Sequence, residues 1–241
     1  MRKKIRKFLD AQAFAPSLIL GLFVNPFYFS RRFLFKEISN FASNVSGGSL
    51  LDVGCGTKPY RHLFSVEKYD GLEYSEENLG RKNHADYVYD GHRFPFPDKS
   101  YETVICCEVF EEVFNPDEFL SEIHRTLKTG GVFLLTVPFI WDEQEQPMDF
   151  ARYTSFGLDF LLSKHGFEII SHKKTGANIS VFFQLWNEWI FKKISPDCIA
   201  KKIIANIFFT LSNLVGTMVS KIFPKNCDMY LNNIIVARRK I

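Results

Sequence analysis

The sequence predicts a doubly wound α/β fold, a mostly parallel seven-stranded sheet with helices on both faces. Three observations predict it. From Ser49 onward, short apolar runs alternate with stretches of helical periodicity. The first run, Leu50-Leu51-Asp52-Val53, ends in Gly54-Cys55-Gly56, as a buried parallel strand does where it turns towards a helix. An acid, Glu73, stands 21 positions after Asp52, just beyond the second run.

Residues 1–45 precede the sheet as a basic and apolar helical extension. Arg2, Lys3, Lys4, Arg6 and Lys7 come first, then an uncharged stretch from Ala11 to Ser30, then Arg31 and Arg32. That outline mimics a signal peptide or a membrane span. Pro16, Gly21, Asn25 and Pro26 interrupt it, and no small-residue cleavage site follows. These helices are expected to pack on the domain or to lie on a bilayer.

Residues 46–241 carry the sheet, with strands expected at 49–53, 68–72, 86–89, 102–107, 131–137, 167–172 and 230–238. After the fourth, Phe114, Phe119, Leu120, Ile123 and Leu127 form one helical stripe; Asn115-Pro116-Asp117 fits its start and Gly130-Gly131 its end. A helical insertion fills about 176–228. In it Ile204, Phe208, Leu211, Val215, Met218 and Ile222 recur every three or four residues. Asn206, Thr210, Asn213, Thr217 and Ser220 keep the same rhythm on another face. Lys201, Lys202 and Lys221 bracket the uncharged run 203–220, long enough to cross a bilayer. A single crossing could not return to the same sheet. A helix carrying Phe182, Leu185, Trp186, Trp189 and Ile190 is the expected hairpin partner. The pair either caps a pocket, makes a homodimer contact or docks on a membrane surface.

The glycine turn admits a ligand against bare main chain, and the helix end beyond it favours an anion. A carboxylate at the tip of the second strand is placed to accept from ribose hydroxyls. A dinucleotide fingerprint would have a third glycine near position 59, where this chain has Pro59, so the pattern does not fit NAD.

At these residues the chain resembles a known family. Asp52-Val53-Gly54-Cys55-Gly56-Thr57 is similar to motif I of the class I S-adenosyl-L-methionine (SAM) methyltransferases. Asp90 to Asp98 resembles their adenine-side segment, and Arg125 to Gly131 the turn before their fifth strand. The resemblance runs from about Gly48 to His172. It implies a Rossmann-like sheet whose last strand is antiparallel, and SAM as cofactor. It implies that Asp52 orients the motif I loop and that the Gly54-Cys55-Gly56 backbone faces the amino-acid end of SAM. Glu73 would hold the ribose, Tyr74 pack on the adenine, Asp90 and Gly91 read its edge, and Glu108 approach the methyl-donor region.

Glu108 to Val113 resembles a Glu-Val-Leu-Glu-His-Val pattern in which Glu112 replaces the histidine. The loop from Pro138 to Thr154 resembles a branch associated with bacterial surface-polysaccharide clusters, with Gln144 where a histidine often stands. Both departures remove side chains suited to act as a base. Asp149, Arg152 and Tyr153 remain as substrate-side candidates: Asp149 to bond or deprotonate a hydroxyl, Arg152 to clamp an anion, Tyr153 to stack. Equally, Asp149 and Arg152 can pair with each other and merely fold the loop.

A net charge of +3 does not by itself imply a nucleic-acid partner, and no Asn-Pro-Pro-Tyr type of motif is present. The five cysteines and six histidines lack metal-type spacing, and Asp142-Glu143-Gln144-Glu145 reads as a solvated loop face, so no metal is expected. Reduced, packed thiols suit a cytosolic chain. The 26 phenylalanines point to apolar surface beyond the sheet. The expected activity is O-methylation of a glycan, glycolipid or small-molecule acceptor, with peripheral contact to the anionic inner membrane face. The alternative is a SAM-fold binding or scaffold protein without chemistry.

Overall fold

Ser49–Val53 forms a strand, β1, whose apolar side chains fill both faces: Leu50 and Leu51 are fully buried and Val53 nearly so. The computed structural model describes residues 12–75, 84–193 and 199–240. Asp52 pairs in parallel with Gly71 of β2 (Lys68–Tyr74) on one side and with Ile105 of β4 (Tyr101–Cys107) on the other. With β3 (Tyr87–Tyr89), β5 (Leu127–Pro138), β6 (Phe167–Thr175) and β7 (Asn232–Arg239), the sheet has the order β3-β2-β1-β4-β5-β7-β6. The last strand is antiparallel. Leu231 N–H donates to Thr175 O at 2.8 Å and Lys240 N–H to Gly166 O at 3.0 Å, so one strand rises as the other falls. The chain leaves β1 towards β2 and β3, then crosses to β4. That reversal opens a crevice at the carboxyl ends of the strands.

Helices α1 (Leu20–Val24) and α2 (Tyr28–Ala42) precede the sheet; α3 (Pro116–Thr126) and α4 (Ser155–Lys164) connect its strands. Phe119, Leu120 and Ile123 of α3 and Leu158 and Leu162 of α4 pack with Leu51, Val104, Cys106 and Phe133 in the main core. Helix α3 does not run to Gly130-Gly131 as expected. It stops at Thr126, where Lys99 and Ser100 N–H groups take the carbonyls of Arg125 and Thr126, and Leu127 already starts β5. Gly131 instead serves a close approach of β4 and β5: a Cβ there would lie 3.0 Å from Glu102 O. Phe114 is also not in the buried stripe. It precedes Pro116 and is 82% exposed.

Contacts divide the chain into two compact units. One comprises Ile38–Phe139, Glu143–Lys173 and Asn233–Ile241; the other comprises Met1–Glu37, Ile140–Asp142 and Lys174–Asn232. The basic residues Arg2 to Lys7 lie outside the described residues.

The second unit contains α5 (Ser180–Lys193) and α6 (Ile199–Val219), the expected hairpin. Its packing reverses the usual sense of an amphipathic helix. The buried stripe of α5 is Ser180, Val181, Gln184, Asn187 and Glu188; that of α6 includes Ala205, Phe209, Ser212 and Asn213. Asn187 Nδ2 donates to Asn213 Oδ1 at 2.9 Å, and Asn213 Nδ2 donates to the carbonyls of Leu22 and Asn25 at 3.1 and 3.0 Å. Gln184 Oε1 accepts from Phe29 and Ser30 N–H at 3.1 and 3.3 Å, which satisfies orphan donors in the first turn of α2. Gly216 lets Phe183 and Phe29 close in, since a Cβ would lie 2.8 Å from each ring. The polar side chains thus join the helices, and Ile204, Leu211, Val215 and Met218 are left facing outward.

Candidate active site

The crevice holds a cleft of about 240 Å³, entirely within the sheet unit. Gly54, Glu73, Tyr74, Asp90 and Gly91 line it, together with the apolar side chains Val109, Val113, Phe114, Met148 and Phe150. His92, Glu112 and Glu118 supply further polar groups.

The part built on Gly54, Glu73 and Tyr74 follows from the ends of β1 and β2. Gly54 takes a left-handed φ of +70°, and a Cβ there would lie 2.3 Å from Val109 Cγ2. Gly56, at φ +47°, has nothing within 4 Å of its Cβ direction, so bare backbone faces open space. Its N–H donates to Glu73 Oε2 at 2.9 Å, and Tyr74 N–H reaches Oε1 at 3.2 Å. The Glu73 carboxylate is thereby fixed at the strand tip with lone pairs to spare. Asp90 is exposed; the His92 N–H, 3.1 Å from Oδ1, holds its carboxyl below the usual range. The acids Glu73 and Asp90 thus share one cleft with the glycine turn. A carboxylate for a pair of hydroxyls, an acid for an exocyclic amine and an open backbone turn fit an adenosyl group.

Other expected residues are placed elsewhere. Asp52 is buried beneath the turn and accepts from Tyr69 Oη at 2.6 Å; burial pushes its carboxyl up to about 7 despite that bond. Cys55 packs over Gly71, where a Cβ would lie 2.7 Å from its Sγ, and burial pushes its thiol up to about 12. Glu108 has a left-handed φ of +57° and is tied to β5: its N–H donates to Thr136 O at 3.0 Å, and its Oε1 accepts from Thr136 Oγ1 at 2.9 Å. None of the three is among the lining residues.

The substrate-side trio is also absent from the lining. Arg152 grips Asp149 through both Nη atoms at 2.5 Å, and Asp149 Oδ2 accepts from Gln144 N–H at 2.8 Å. Tyr153 stacks on Phe110 at 4.9 Å. The Asp–Arg pair therefore folds the loop, and its neighbours Met148 and Phe150 are the side chains that reach the cleft. Sequence reasoning passed over these two, as it did Phe114, which meets Phe150 edge-on at 5.3 Å. The available signal was, for Met148 and Phe150, large apolar residues in a loop with no core stripe to join, and, for Phe114, its place two residues before Pro116.

Glu111 was also overlooked. Fully buried, it accepts from Gln144 Nε2 at 3.1 Å, and its Oε2 has no hydrogen-bond partner among the described residues. Burial foremost, then the Glu108 charge, pushes its carboxyl well above the usual range. The folded state thus holds this proton more tightly than the unfolded chain does. Its stabilising contribution is complete below about pH 4.5 and is lost as pH rises towards the raised value. Glu111→Gln stays neutral throughout, so its stability relative to the parent is expected to climb between pH 5 and 9. Melting temperatures of both proteins at the two pH values check this; a gap independent of pH means that the carboxyl is already ionised in the fold.

Among the described residues no group of three or more His, Cys, Asp or Glu side chains is placed to hold a metal ion. Comparison with known proteins agrees with the geometry. A family model described as a methyltransferase domain matches residues 27–172, more than half of the chain. The fatty-acid O-methyltransferase of Mycolicibacterium smegmatis is 32% identical over 105 residues, covering 39% of this chain and 38% of that protein. The ubiquinone biosynthesis O-methyltransferase of Rickettsia bellii is 27% identical over 117 residues, covering 43% and 48%. The chain thus spans less than half the length of these curated relatives. Phosphoethanolamine N-methyltransferase 2 of Haemonchus contortus, solved with SAM, shares the fold with a TM-score of 0.56 at 15% identity, covering 92% of this chain and 56% of that one. By its strand order, its glycine turn and this match, the chain belongs to the methyltransferase-domain family and has the fold of the class I SAM-dependent methyltransferases.

Proposed function

We propose that the chain methylates an oxygen of a small, largely apolar acceptor that enters beside Phe114 and Phe150. The observation that carries this is the apolar part of the cleft lining: Val109, Val113, Phe114, Met148 and Phe150. Exposed aromatics such as Phe114, 82% exposed, and Phe150, 44% exposed, suit an apolar ligand rather than a hydroxyl-rich one. The relatives named for fatty-acid and ubiquinone-biosynthesis methylation support the same class. The glycan acceptor that the loop's resemblance implied draws no support from them.

SAM supplies a methyl group on a positively charged sulfur, ready for in-line displacement. The chain's part is to hold two reactants and exclude water. Glu73, fixed by the Gly56 and Tyr74 amides, would bind the ribose; Asp90 and Gly91 would bind the adenine edge; Tyr74 would pack on its face. The proton released by a hydroxyl acceptor needs a base. Asp149, the group the sequence offered, is held by Arg152, and Gln144 is turned to Glu111, whereas Glu112 lines the cleft where the family pattern has histidine. A carboxylate is a weaker base than the histidine it replaces but can take that proton, and this reading gives Glu112 the role of proton acceptor.

Transfer of labelled methyl from SAM to a panel of fatty acids, phenols and sugars tests the reading. Phe114→Ala is expected to raise KM for the acceptor roughly tenfold, from the lost aromatic contact area, and to leave SAM affinity unchanged. Transfer to sugars alone overturns the apolar acceptor. SAM binding without transfer to any member of the panel favours the scaffold alternative.

A further inference from the structure

The outward face of α5 and α6 is an exposed apolar surface that methyl transfer does not use. Phe182, Trp186 and Trp189 of α5 are each more than half exposed, as are Ile204, Leu211 and Met218 of α6. The two faces join where Trp186 meets Phe208 at 6.2 Å, and Trp186 and Trp189 stack at 5.7 Å. Helices joined by inward amides and a glycine, with aliphatic side chains outward, match lipid as the surrounding medium rather than water.

Charge selects the lipid and the orientation. Lys193 at the end of α5 and Lys201 and Lys202 at the start of α6 are exposed, and Lys221 and Lys225 are exposed beyond the far end of α6. Among the described residues of both helices the one acid, Glu188, is buried. Any two-fold pairing of this face with a second copy would set lysines against lysines, because both ends are basic. An anionic headgroup layer complements both ends at once.

The same lysines exclude tip-first insertion, which would carry Lys193, Lys201 and Lys202 into hydrocarbon. Helix α6, of 21 residues and about 32 Å, could cross a bilayer by length. Helix α5, of 14 residues and about 21 Å, falls short of a hydrocarbon core of roughly 30 Å. We propose that α5 and α6 lie in the plane of an anionic leaflet, with their apolar faces among the acyl chains and their lysines at headgroup level.

Flotation of the full chain with mixed phosphatidylcholine–phosphatidylglycerol vesicles tests this. The protein is expected to float with the mixed vesicles, to float weakly with pure phosphatidylcholine, and to be released by high salt. Replacing Lys201, Lys202 and Lys221 together by glutamine is expected to weaken partition roughly a hundredfold, about fivefold for each charge. Trp186→Ser with Trp189→Ser is expected to weaken it further and to abolish a blue shift of tryptophan emission. SAM titration of the same variants should be unchanged, which shows that they fold and separates docking from methyl transfer. Failure to float with anionic vesicles, or sedimentation as a dimer that vesicles do not dissociate, overturns the proposal.

Discussion

Replacing Glu73 by alanine is expected to weaken SAM binding roughly a hundredfold, about 3 kcal/mol, in isothermal titration. Two effects add. The ribose hydroxyls lose a charged acceptor, and the Gly56 amide loses the Oε2 that holds the turn at 2.9 Å. Glu73→Gln keeps one acceptor oxygen but not the charge, and is expected to cost about tenfold. Asp90→Ala should cost less than Glu73→Ala, because Asp90 is exposed to competing water. Undiminished binding by Glu73→Ala would remove the adenosyl assignment of the cleft.

Gly54→Ala carries the second large effect. The left-handed φ of +70° costs an alanine about 1–2 kcal/mol, and its Cβ would lie 2.3 and 2.7 Å from the two γ-methyls of Val109. Val109 lines the cleft, so relief of the clash displaces the wall that the ligand meets. The expected result is a melting temperature lowered by roughly 6–10 °C together with SAM affinity reduced at least tenfold. Adding Val109→Ala should remove the steric part and leave the backbone part, so the double variant should recover about half of the lost stability. A Gly54→Ala protein with unaltered melting and binding would show that the turn is not as tight as the backbone describes.

Much of the sheet was legible because it rests on local rules. Buried parallel strands must be short and apolar, and the chain marks their ends with glycine or proline, as at Gly54 and at Pro138. The limits appeared where a residue's partner lies far along the chain. Gly130-Gly131 looked like a helix end, but backbone donors at Lys99 and Ser100 end α3 earlier. Asp149 and Arg152 carry the functional groups that suit a substrate, yet their mutual ion pair leaves Met148 and Phe150 to face the cleft. Phe114 fits a helical stripe by spacing, while Pro116 starts the helix too late to include it.

The sequence by itself determined the order of the strands' segments, the glycine turn and Glu73, since strand-end chemistry and spacing are properties of the local chain; Asp90 was pointed to by the family resemblance alone. Tertiary structure alone decided which of the other candidates reach the cleft, because that depends on pairs such as Asp52 with Tyr69 and Glu108 with Thr136. It also decided the sense of the amphipathic helices. Periodicity shows that α6 has two faces; only the hydrogen bonds that Asn213 accepts from Asn187 and donates to the carbonyls of Leu22 and Asn25 put the polar one inside and turn the apolar one outward.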